Sequence, residues 1–498
     1  MTYPSTIVFV HGWSVTHTDT YGGLPERLAA EAAAAGRALQ VRDLRLAKYV
    51  SFHDEVRVED IARGMEAAVR AELGDLIARR ERFAVVTHST GGPVAREWWW
   101  RSYASRKGAG TCPMSHLVML APANFGSALA QLGKGRISRI KSWAGGVEPG
   151  TGVLDWLEHG SGESWALNEA WIRGRFGKPE PAGVFSFVLT GQRVDRSLYD
   201  HLNSYTGESG SDGVVRVAAA NLNAALLRLE QGRGNEIGKL TAVGRLLRAP
   251  RSVFRLVSGT THSGKDMGIM RSVDAHPNGA GKEVTDAILR CFAVGSAVEY
   301  AALCDAFAAE TAKIQAAEQV EVQKIPVLPD RVYVHDRTSL VIFRVRDTEG
   351  YPLQDFDLEL TGASDDPDLL PEGFFKDRQR NQRAKNVLTY FFNYDLMTGC
   401  EAVPDPRQPG EWVRKERRGA DRLGLRVTPR PASGFVRYCA GAAQADPKTL
   451  KAVIRPNETT LVDVVLRRLV HRGVFEMDRG DAPRADFRKV KPGDELAD

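Results

Sequence analysis

Ser89 is the residue of this chain whose setting most clearly predicts covalent chemistry. It lies in the string THSTGG (residues 87–92), where an apolar, β-branched run ends and a helix-like stretch begins. This is the sequence form of a nucleophile elbow, a strained strand-to-helix turn that exposes a serine hydroxyl at the edge of a sheet. The usual pattern is G-x-S-x-G. Here Thr87 replaces the first glycine, whereas Gly91 is retained.

A nucleophilic serine needs a carboxylate to orient its base, and Asp212 is the preferred candidate. When the nucleophile sits on an elbow, the carboxylate and then the histidine follow it in the chain. Asp212 lies in the string SDGVV, where a tight turn anchored by two valines presents the carboxylate. Asp195 and Asp200 are alternatives. Asp195 stands between Arg193 and Arg196, which favours a surface ion pair.

His262 is the candidate general base. It occupies the string TTHSG directly after an apolar run, on a loop past the last predicted strand of the first domain, and His276 is the alternative. The surrounding string GTTHSGKD (259–266) nearly matches a phosphate-binding loop. Its last position is Asp266, where a Mg²⁺-binding hydroxyl is needed, so we reject a nucleotide site there.

The oxyanion that forms during ester attack needs hydrogen-bond donors, and the sequence offers two backbone N–H groups. The string VFVHGW (8–13) ends a strand with a His-Gly turn that directs the N–H of Trp13 toward the nucleophile. The N–H of Thr90 follows the serine and is the second donor. We interpret His11 as structural. A turn at 120–127 (LAPANFGS) has the form expected after the strand that follows an elbow.

These residues sit at the ends of short apolar runs that alternate with helix-like stretches up to about residue 295. Such a succession predicts an α/β fold, a mostly parallel sheet flanked by helices, with its reactive loops at the carboxyl ends of the strands. With the chemistry above, we expect an α/β-hydrolase domain over residues 1–322. The predicted strands are 6–10, 39–43, 83–87, 116–120, 184–189 and 251–257, with helices at 24–35 and 61–79.

Two inserts interrupt this pattern and are interpreted as a lid or substrate cover. Residues 125–180 carry four tryptophans and nearby cations, a combination that suits a membrane interface. For each tryptophan by itself, a solvated helix with the ring facing the core is the preferred interpretation. Residues 221–250 are predicted as one or two helices with basic side chains. The residues concerned are Trp143, Trp156, Trp165 and Trp171 with Lys134, Arg136, Arg139 and Lys141, and then Lys239, Arg245 and Arg248.

A helix from Val298 to about Glu318 leads to a proline-punctuated linker at 324–329. Beyond it, short alternating strands predict an antiparallel β-sandwich-like domain over residues 330–498. The 498 residues are enough for two domains.

Composition narrows the classes of function. The formal net charge is +5, and no nucleic-acid-binding signature is present, so no nucleic-acid partner is expected. Five scattered cysteines predict neither disulfides nor a structural zinc site, and no metal is expected. We expect neither a signal peptide nor a transmembrane helix.

The THSTGG elbow resembles that of the PlaB-type bacterial phospholipases A/lysophospholipases A, which likewise have threonine at the first position. The resemblance extends over most of the chain and includes a C-terminal β-rich domain. It implies a triad of Ser89, Asp212 and His262 that hydrolyses acyl esters of diacyl- and lysophospholipids without a metal or required cofactor. It also implies homotetramers of reduced activity, a C-terminal domain needed for function, and peripheral association with the outer membrane. A cytoplasmic location is the alternative.

Dinucleotide binding has also been attached to that family; no G-x-G-x-x-G string supports it here, and the sequence leaves it open. The leading hypothesis is therefore a serine phospholipase A/lysophospholipase A that meets its substrate at a membrane surface. The alternatives are a secreted antibacterial lipase, a general carboxylesterase with the same triad, and a catalytically silent scaffold that binds membranes.

Overall fold

A computed structural model of the protein describes residues 3–10, 20–44, 55–131, 150–194, 208–324 and 330–471. The strands in chain order are β1 (Thr6–Val10), β2 (Gln40–Leu44), β3 (Phe83–His88), β4 (Met114–Leu120), β5 (Phe185–Thr190), β6 (Ala224–Gln231), β7 (Leu240–Ala242), β8 (Leu247–Arg248), β9 (Val253–Leu256), β10 (Val320–Gln323), β11 (Arg331–Val334), β12 (Thr338–Asp347), β13 (Phe356–Thr361), β14 (Phe375–Arg380), β15 (Val387–Asn393), β16 (Val403–Pro404), β17 (Trp412–Arg414), β18 (Leu423–Pro429), β19 (Val436–Arg437), β20 (Gly441–Ala445), β21 (Thr459–Leu466) and β22 (Leu469–Val470).

The helices are short in the loops and longer where they cover the first sheet. In chain order they are α1 (Leu24–Ala34), α2 (Val58–Glu72), α3 (Gly74–Ala78), α4 (Gly91–Trp99), α5 (Thr151–Leu157), α6 (Gly162–Ile172), α7 (Val217–Ala220), α8 (Ser272–Ala275), α9 (Ala280–Phe292), α10 (Ala297–Ala317), α11 (Tyr394–Thr398) and α12 (Pro447–Val453). A π-helical turn, Trp100–Ala104, continues α4. Within the described ranges, no helix is both long and apolar enough to span a bilayer.

The first sheet has six parallel strands in the order β2-β1-β3-β4-β5-β9. Its central strands are buried on both faces, because helices cover both sides. Alternate side chains enter two separate cores. One core contains Val8, Val85 and Leu117 with Met65 of α2 and Trp98 of α4, and the other contains Phe9, Val86 and Val118 with Leu28 of α1 and Ile288 of α9. The α/β-hydrolase fold expected from the sequence is confirmed.

The C-terminal region has a seven-stranded mixed sheet in the order β14-β15-β12-β21-β6-β7, with β8 also paired to β6. A three-stranded antiparallel sheet, β13-β18-β20, packs over it through a shared apolar core. The predicted C-terminal sandwich-like, β-rich architecture is therefore present.

The helices predicted for residues 221–250 are wrong. The segment forms β6, a 3₁₀ turn at Gly234–Glu236, β7 and β8. Its alanines and leucines favour a helix locally, but parallel pairing of β6 with β21, more than 200 residues later in the sequence, decides the outcome. Of the cations predicted here, Lys239 lies just before β7 and Arg248 ends β8.

The tryptophans of the first insert are core residues wherever the structure describes them. Trp156, Trp165 and Trp171 are only 2 %, 2 % and 5 % exposed, in or beside α5 and α6. Burial in the core, the preferred interpretation for each tryptophan by itself, is confirmed for these three rings, and none of them is exposed as a membrane anchor must be. Trp143 and the cations Lys134, Arg136, Arg139 and Lys141 lie outside the described residues.

Candidate active site

Ser89 occupies the turn between β3 and α4, as the elbow string predicts. Its φ is +53°, in the left-handed region that a non-glycine residue enters at a cost of about 1–2 kcal/mol. The turn is held in place by the Ser89 N–H, which donates to the carbonyl of Leu120 at 3.0 Å. A Cβ on Gly92 would lie 2.7 Å from Cβ of Pro122, so this position needs a glycine where the two turns meet. The serine is thereby fixed at the carboxyl edge of the sheet.

Thr87, which replaces the first glycine of the elbow pattern, is completely buried at the end of β3. Its backbone pairs with Val10 on one side and Met119 on the other. Within the described part of the chain, its hydroxyl has no hydrogen-bond partner. We find no structural reason for the hydroxyl at this position.

His262 connects the serine to the predicted acid. Its Nε2 lies 3.0 Å from Oγ of Ser89, and its Nδ1 lies 3.0 Å from Oδ2 of Asp212. The Asp212 side chain is fully buried and that of His262 nearly so, whereas Ser89 is partly exposed. This geometry suits a base that takes the serine proton while a carboxylate stabilises the resulting imidazolium.

The second carboxylate oxygen of Asp212 is held by the turn that carries it. Oδ1 accepts from the N–H groups of Val214 and Val215 at 3.0 and 2.7 Å. The Asp212 carbonyl accepts from the N–H of His262 at 2.9 Å. The Asp turn and the His loop are thus joined through both backbone and side chain.

The alternative residues do not join this arrangement where they are described. His276 is exposed at the end of α8, and its N–H donates to the carbonyl of Ser272. Asp195 and Asp200 lie outside the described residues. Arg193, expected to pair with Asp195, lies 3.6 Å from Glu318 and 3.5 Å from Glu321.

His88 is a neighbour of the site whose role the sequence reasoning missed. Its Nε2 donates to the carbonyl of His262 at 2.9 Å, and the two ring centroids are 4.7 Å apart. Burial lowers the pKa of His88 well below its usual range, with a smaller contribution from His262. The neutral ring supports the backbone of the His loop. Nothing in the sequence distinguishes this histidine from a residue that merely fills the variable position of the elbow.

Glu318, just after α10, fixes the other side of the His loop. One of its oxygens accepts from the Gly259 N–H at 2.8 Å and from the Ser258 hydroxyl at 2.9 Å. The other oxygen accepts from Nε2 of Gln192 at 2.8 Å. The loop that follows β5 is therefore tied to the loop that carries His262.

Of the two predicted oxyanion donors, the structure describes Thr90. It is the N-cap of α4, so its N–H lies at the positive end of the helix dipole. In the ranges that are described, this N–H has no hydrogen-bond acceptor of its own. Trp13, the other predicted donor, lies outside the described residues, as does His11.

The turn at 120–127 links the elbow to the Asp turn. The Ser127 hydroxyl donates to the carbonyl of Val214 at 2.6 Å, and the Phe125 N–H donates to the carbonyl of Ala219 at 2.9 Å. Arg96, on the elbow helix, is fully buried and donates to the side-chain oxygens of Asn124 and Asn168 at 3.2 and 3.0 Å. Burial lowers the pKa of Arg96 to about 9.

Comparisons with known proteins place the fold and site in context. No protein-family model matches the chain, and no curated protein matches it. Among solved structures, phospholipase PlaB from Legionella pneumophila is 42% identical with a TM-score of 0.84, covering 97% of this chain and 98% of that one. The structure of that phospholipase in complex with thio-NAD gives 40% identity and a TM-score of 0.82, over 96% of this chain and 97% of that one.

Proposed function

The chain belongs to the PlaB-type phospholipase family and is a lipolytic ester hydrolase. We propose that it is a phospholipase A/lysophospholipase A that works through Ser89, His262 and Asp212. The observation that carries the proposal is the hydrogen-bonded series from Ser89 Oγ through His262 to Asp212, with 3.0 Å at both links. Acyl transfer requires a nucleophile, a general base and a carboxylate that orients the base, and Ser89, His262 and Asp212 have the chemistry for these roles in that order.

In the proposed reaction, Oγ of Ser89 attacks the ester carbonyl while Nε2 of His262 takes its proton. The oxyanion that forms receives hydrogen bonds from the N–H of Thr90 and, we propose, of Trp13. The ester C–O bond then breaks, the leaving alcohol of the glycerol backbone takes the proton from His262, and an acyl-enzyme remains. A water molecule, deprotonated by His262, attacks the acyl carbonyl and releases the fatty acid, which restores Ser89.

This cycle needs no metal or cofactor, because the nucleophile, base and oxyanion donors are all groups of the chain. No step uses a dinucleotide such as the thio-NAD of the Legionella structure. We further propose that the enzyme meets its substrate peripherally at a membrane surface and that, like the family it resembles, it assembles as a homotetramer.

Defined mixed-chain phospholipids test the proposal. We expect wild-type protein to release fatty acid and lysophospholipid from vesicles of 1-palmitoyl-2-oleoyl phosphatidylcholine, and then glycerophosphocholine, as measured by mass spectrometry. Ser89→Ala should lower the rate by at least about 10³-fold with an unchanged melting temperature, since it removes the nucleophile and no packing.

Ser105→Ala is the matched control, because Ser105 is an exposed serine just beyond the elbow helix. It should retain wild-type activity. Fatty acid release by Ser89→Ala at the wild-type rate would refute the mechanism. If a fluorophosphonate labels Ser89 in a wild-type protein that leaves all phospholipids intact, the chain is an esterase of another specificity.

A further inference from the structure

Arg216 is a buried cation at the end of the turn that carries Asp212. The turn is closed by a bridge between Ser211 and Arg216 and by a hydrogen bond of 3.2 Å from the Asp212 N–H to the Val215 carbonyl. The guanidinium of Arg216 is only 1 % exposed. A charge so deeply buried is stable only if it is paired and hydrogen-bonded.

Two carboxylates pair with this guanidinium. Glu208, which precedes the turn, accepts from Nε at 2.6 Å and from Nη2 at 3.2 Å. Asp377 accepts from Nη2 at 2.5 Å, and the guanidinium carbon lies 4.2 Å from the ring centroid of Phe391. Burial by itself lowers the pKa of Arg216, but the two carboxylates outweigh it and raise the pKa above its usual value. The group is therefore permanently charged.

The two partners belong to different parts of the fold. Glu208 and Arg216 flank the Asp turn, so their ion pair closes its base. Asp377 lies on β14, the edge strand of the seven-stranded C-terminal sheet, and Phe391 lies on the neighbouring β15. Arg216 thus ties the Asp turn to a sheet that supplies none of the three triad residues.

Other contacts of the C-terminal sheet brace the same region. The Thr459 hydroxyl donates to the carbonyl of Ala218 at 2.7 Å, and Nδ2 of Asn221 donates to the carbonyl of Asn457 at 2.8 Å. A Cβ on Gly210, which has a φ of +88°, would lie 2.5 Å from the Thr338 side chain. The backbone on both sides of the Asp turn therefore packs directly on this sheet.

We propose that Arg216 is a positioning residue that, through Glu208 and Asp377, fixes the Asp212 turn against the C-terminal sheet and so sets the orientation of His262. The inference rests on the proposed function, because it concerns the same triad. Arg216 touches no reacting atom and acts through Asp212. It gives the C-terminal domain a specific part in catalysis.

The test uses the full-length protein and substitutes the partners, since Arg216→Ala leaves two buried carboxylates unpaired and can prevent folding. Asp377→Asn and Glu208→Gln keep the shape of each side chain and remove its charge. Hydrolysis of p-nitrophenyl butyrate and the rate of Ser89 labelling by a fluorophosphonate are the readouts. We expect kcat and the labelling rate to fall about 10- to 100-fold with KM within twofold of wild type, because a small displacement of a catalytic group has this effect. Asp377→Glu should restore part of the loss.

Asp463→Asn is the matched control. Asp463 is a buried carboxylate of the same sheet, on β21, that pairs with Arg344 and Arg346 at 3.0 and 2.7 Å. Asp463→Asn should lower the melting temperature by about as much as Asp377→Asn does, and it should leave kcat within threefold of wild type. The proposal is overturned if both partner variants keep kcat within twofold, or if Asp463→Asn loses as much activity at equal stability. Both readouts are independent of phospholipid specificity, so inactivity of the wild type on vesicles would contradict the proposed function and leave this inference standing.

Discussion

At the scale of single residues, the two carboxylate oxygens of Asp212 have different hydrogen-bond partners. Oδ1 accepts from the N–H groups of Val214 and Val215, whereas Oδ2 faces Nδ1 of His262. The backbone donors therefore determine which atom of the side chain meets the histidine. Because an ionised carboxylate can only accept, Nδ1 of His262 donates to Oδ2 of Asp212, and Nε2 remains free to accept the serine proton.

Asp212→Asn should hold His262 in the tautomer that cannot accept the serine proton. The two backbone donors would hold the amide oxygen, so the amide NH₂ group would face Nδ1 and force the proton onto Nε2. We expect kcat to fall by about 10⁴-fold with little change in stability. Steady-state kinetics on p-nitrophenyl butyrate and thermal unfolding measure the two effects.

Asp266→Asn is the control for this change, because Asp266 is exposed in the same region of the chain as His262. It should match the wild type in both measurements. A loss of less than tenfold in Asp212→Asn would show that the orientation of the imidazole does not depend on this carboxylate.

At the scale of elements, the site depends on how closely the loops that follow β5 and β9 approach each other. A Cβ on Gly191 would lie 1.9 Å from the carbonyl oxygen of Thr260, two residues before His262. The Arg193 N–H donates to that same carbonyl at 3.2 Å. Since the colliding atom belongs to the backbone, no side-chain rotation relieves the overlap.

Gly191→Ala should therefore push the His loop away from the serine. We expect a loss of about 1–3 kcal/mol in the free energy of unfolding, the usual effect of overpacking, together with a loss of activity. Urea denaturation and esterase assays measure these effects. Gly74→Ala, on α3 where an added Cβ would have nothing within 4 Å, is the control and should keep wild-type activity with no loss of stability. Wild-type stability in Gly191→Ala would mean that the two loops can separate freely.

The elements that could be predicted from the sequence are those with strong local patterns. The buried strands of the first sheet are continuous apolar runs, and Ser89, Asp212 and His262 each follow such a run or lie on a tight small-residue turn. What could not be predicted depends on distant partners. β6 reads locally as a helix because its partner β21 is remote in the sequence. The role of Arg216 is equally hidden, because Asp377 lies 161 residues further along.

At the scale of the whole molecule, buried histidines make the fold sensitive to acid. The pKa of His116 and that of His159 are each lowered to about 4, mainly because both side chains are buried. The ordinary pKa of histidine in an unfolded chain is about 6.5. Below that pH these histidines are protonated in the unfolded chain but remain neutral in the folded protein.

Above about pH 6.5 each histidine is neutral in both states and costs the folded protein no stability. As the pH falls from 6.5 toward 4, the unfolded chain takes up the proton first, so the free energy of unfolding decreases progressively. Each histidine should contribute a slope of about 1.4 kcal/mol per pH unit within that window. His116→Gln should reduce the slope of the unfolding free energy between pH 6.5 and 4.5, whatever its effect at pH 7.5. Urea denaturation at several pH values measures it.

His159→Gln, at the second buried histidine, should reduce the slope in the same way. An identical slope in His116→Gln and the wild type would show that His116 takes up its proton equally in the folded and unfolded states.

The position of β6 inside the C-terminal sheet has a consequence for synthesis of the protein. β6 leaves the ribosome with the first half of the chain, but its parallel partner β21 follows more than 200 residues later. Domains otherwise tend to fold in order as they emerge. Until the last strands are made, β6 presents an open apolar edge that invites pairing with other chains. The nascent protein should therefore depend on chaperones, and fragments that end at the linker near residue 325 should aggregate.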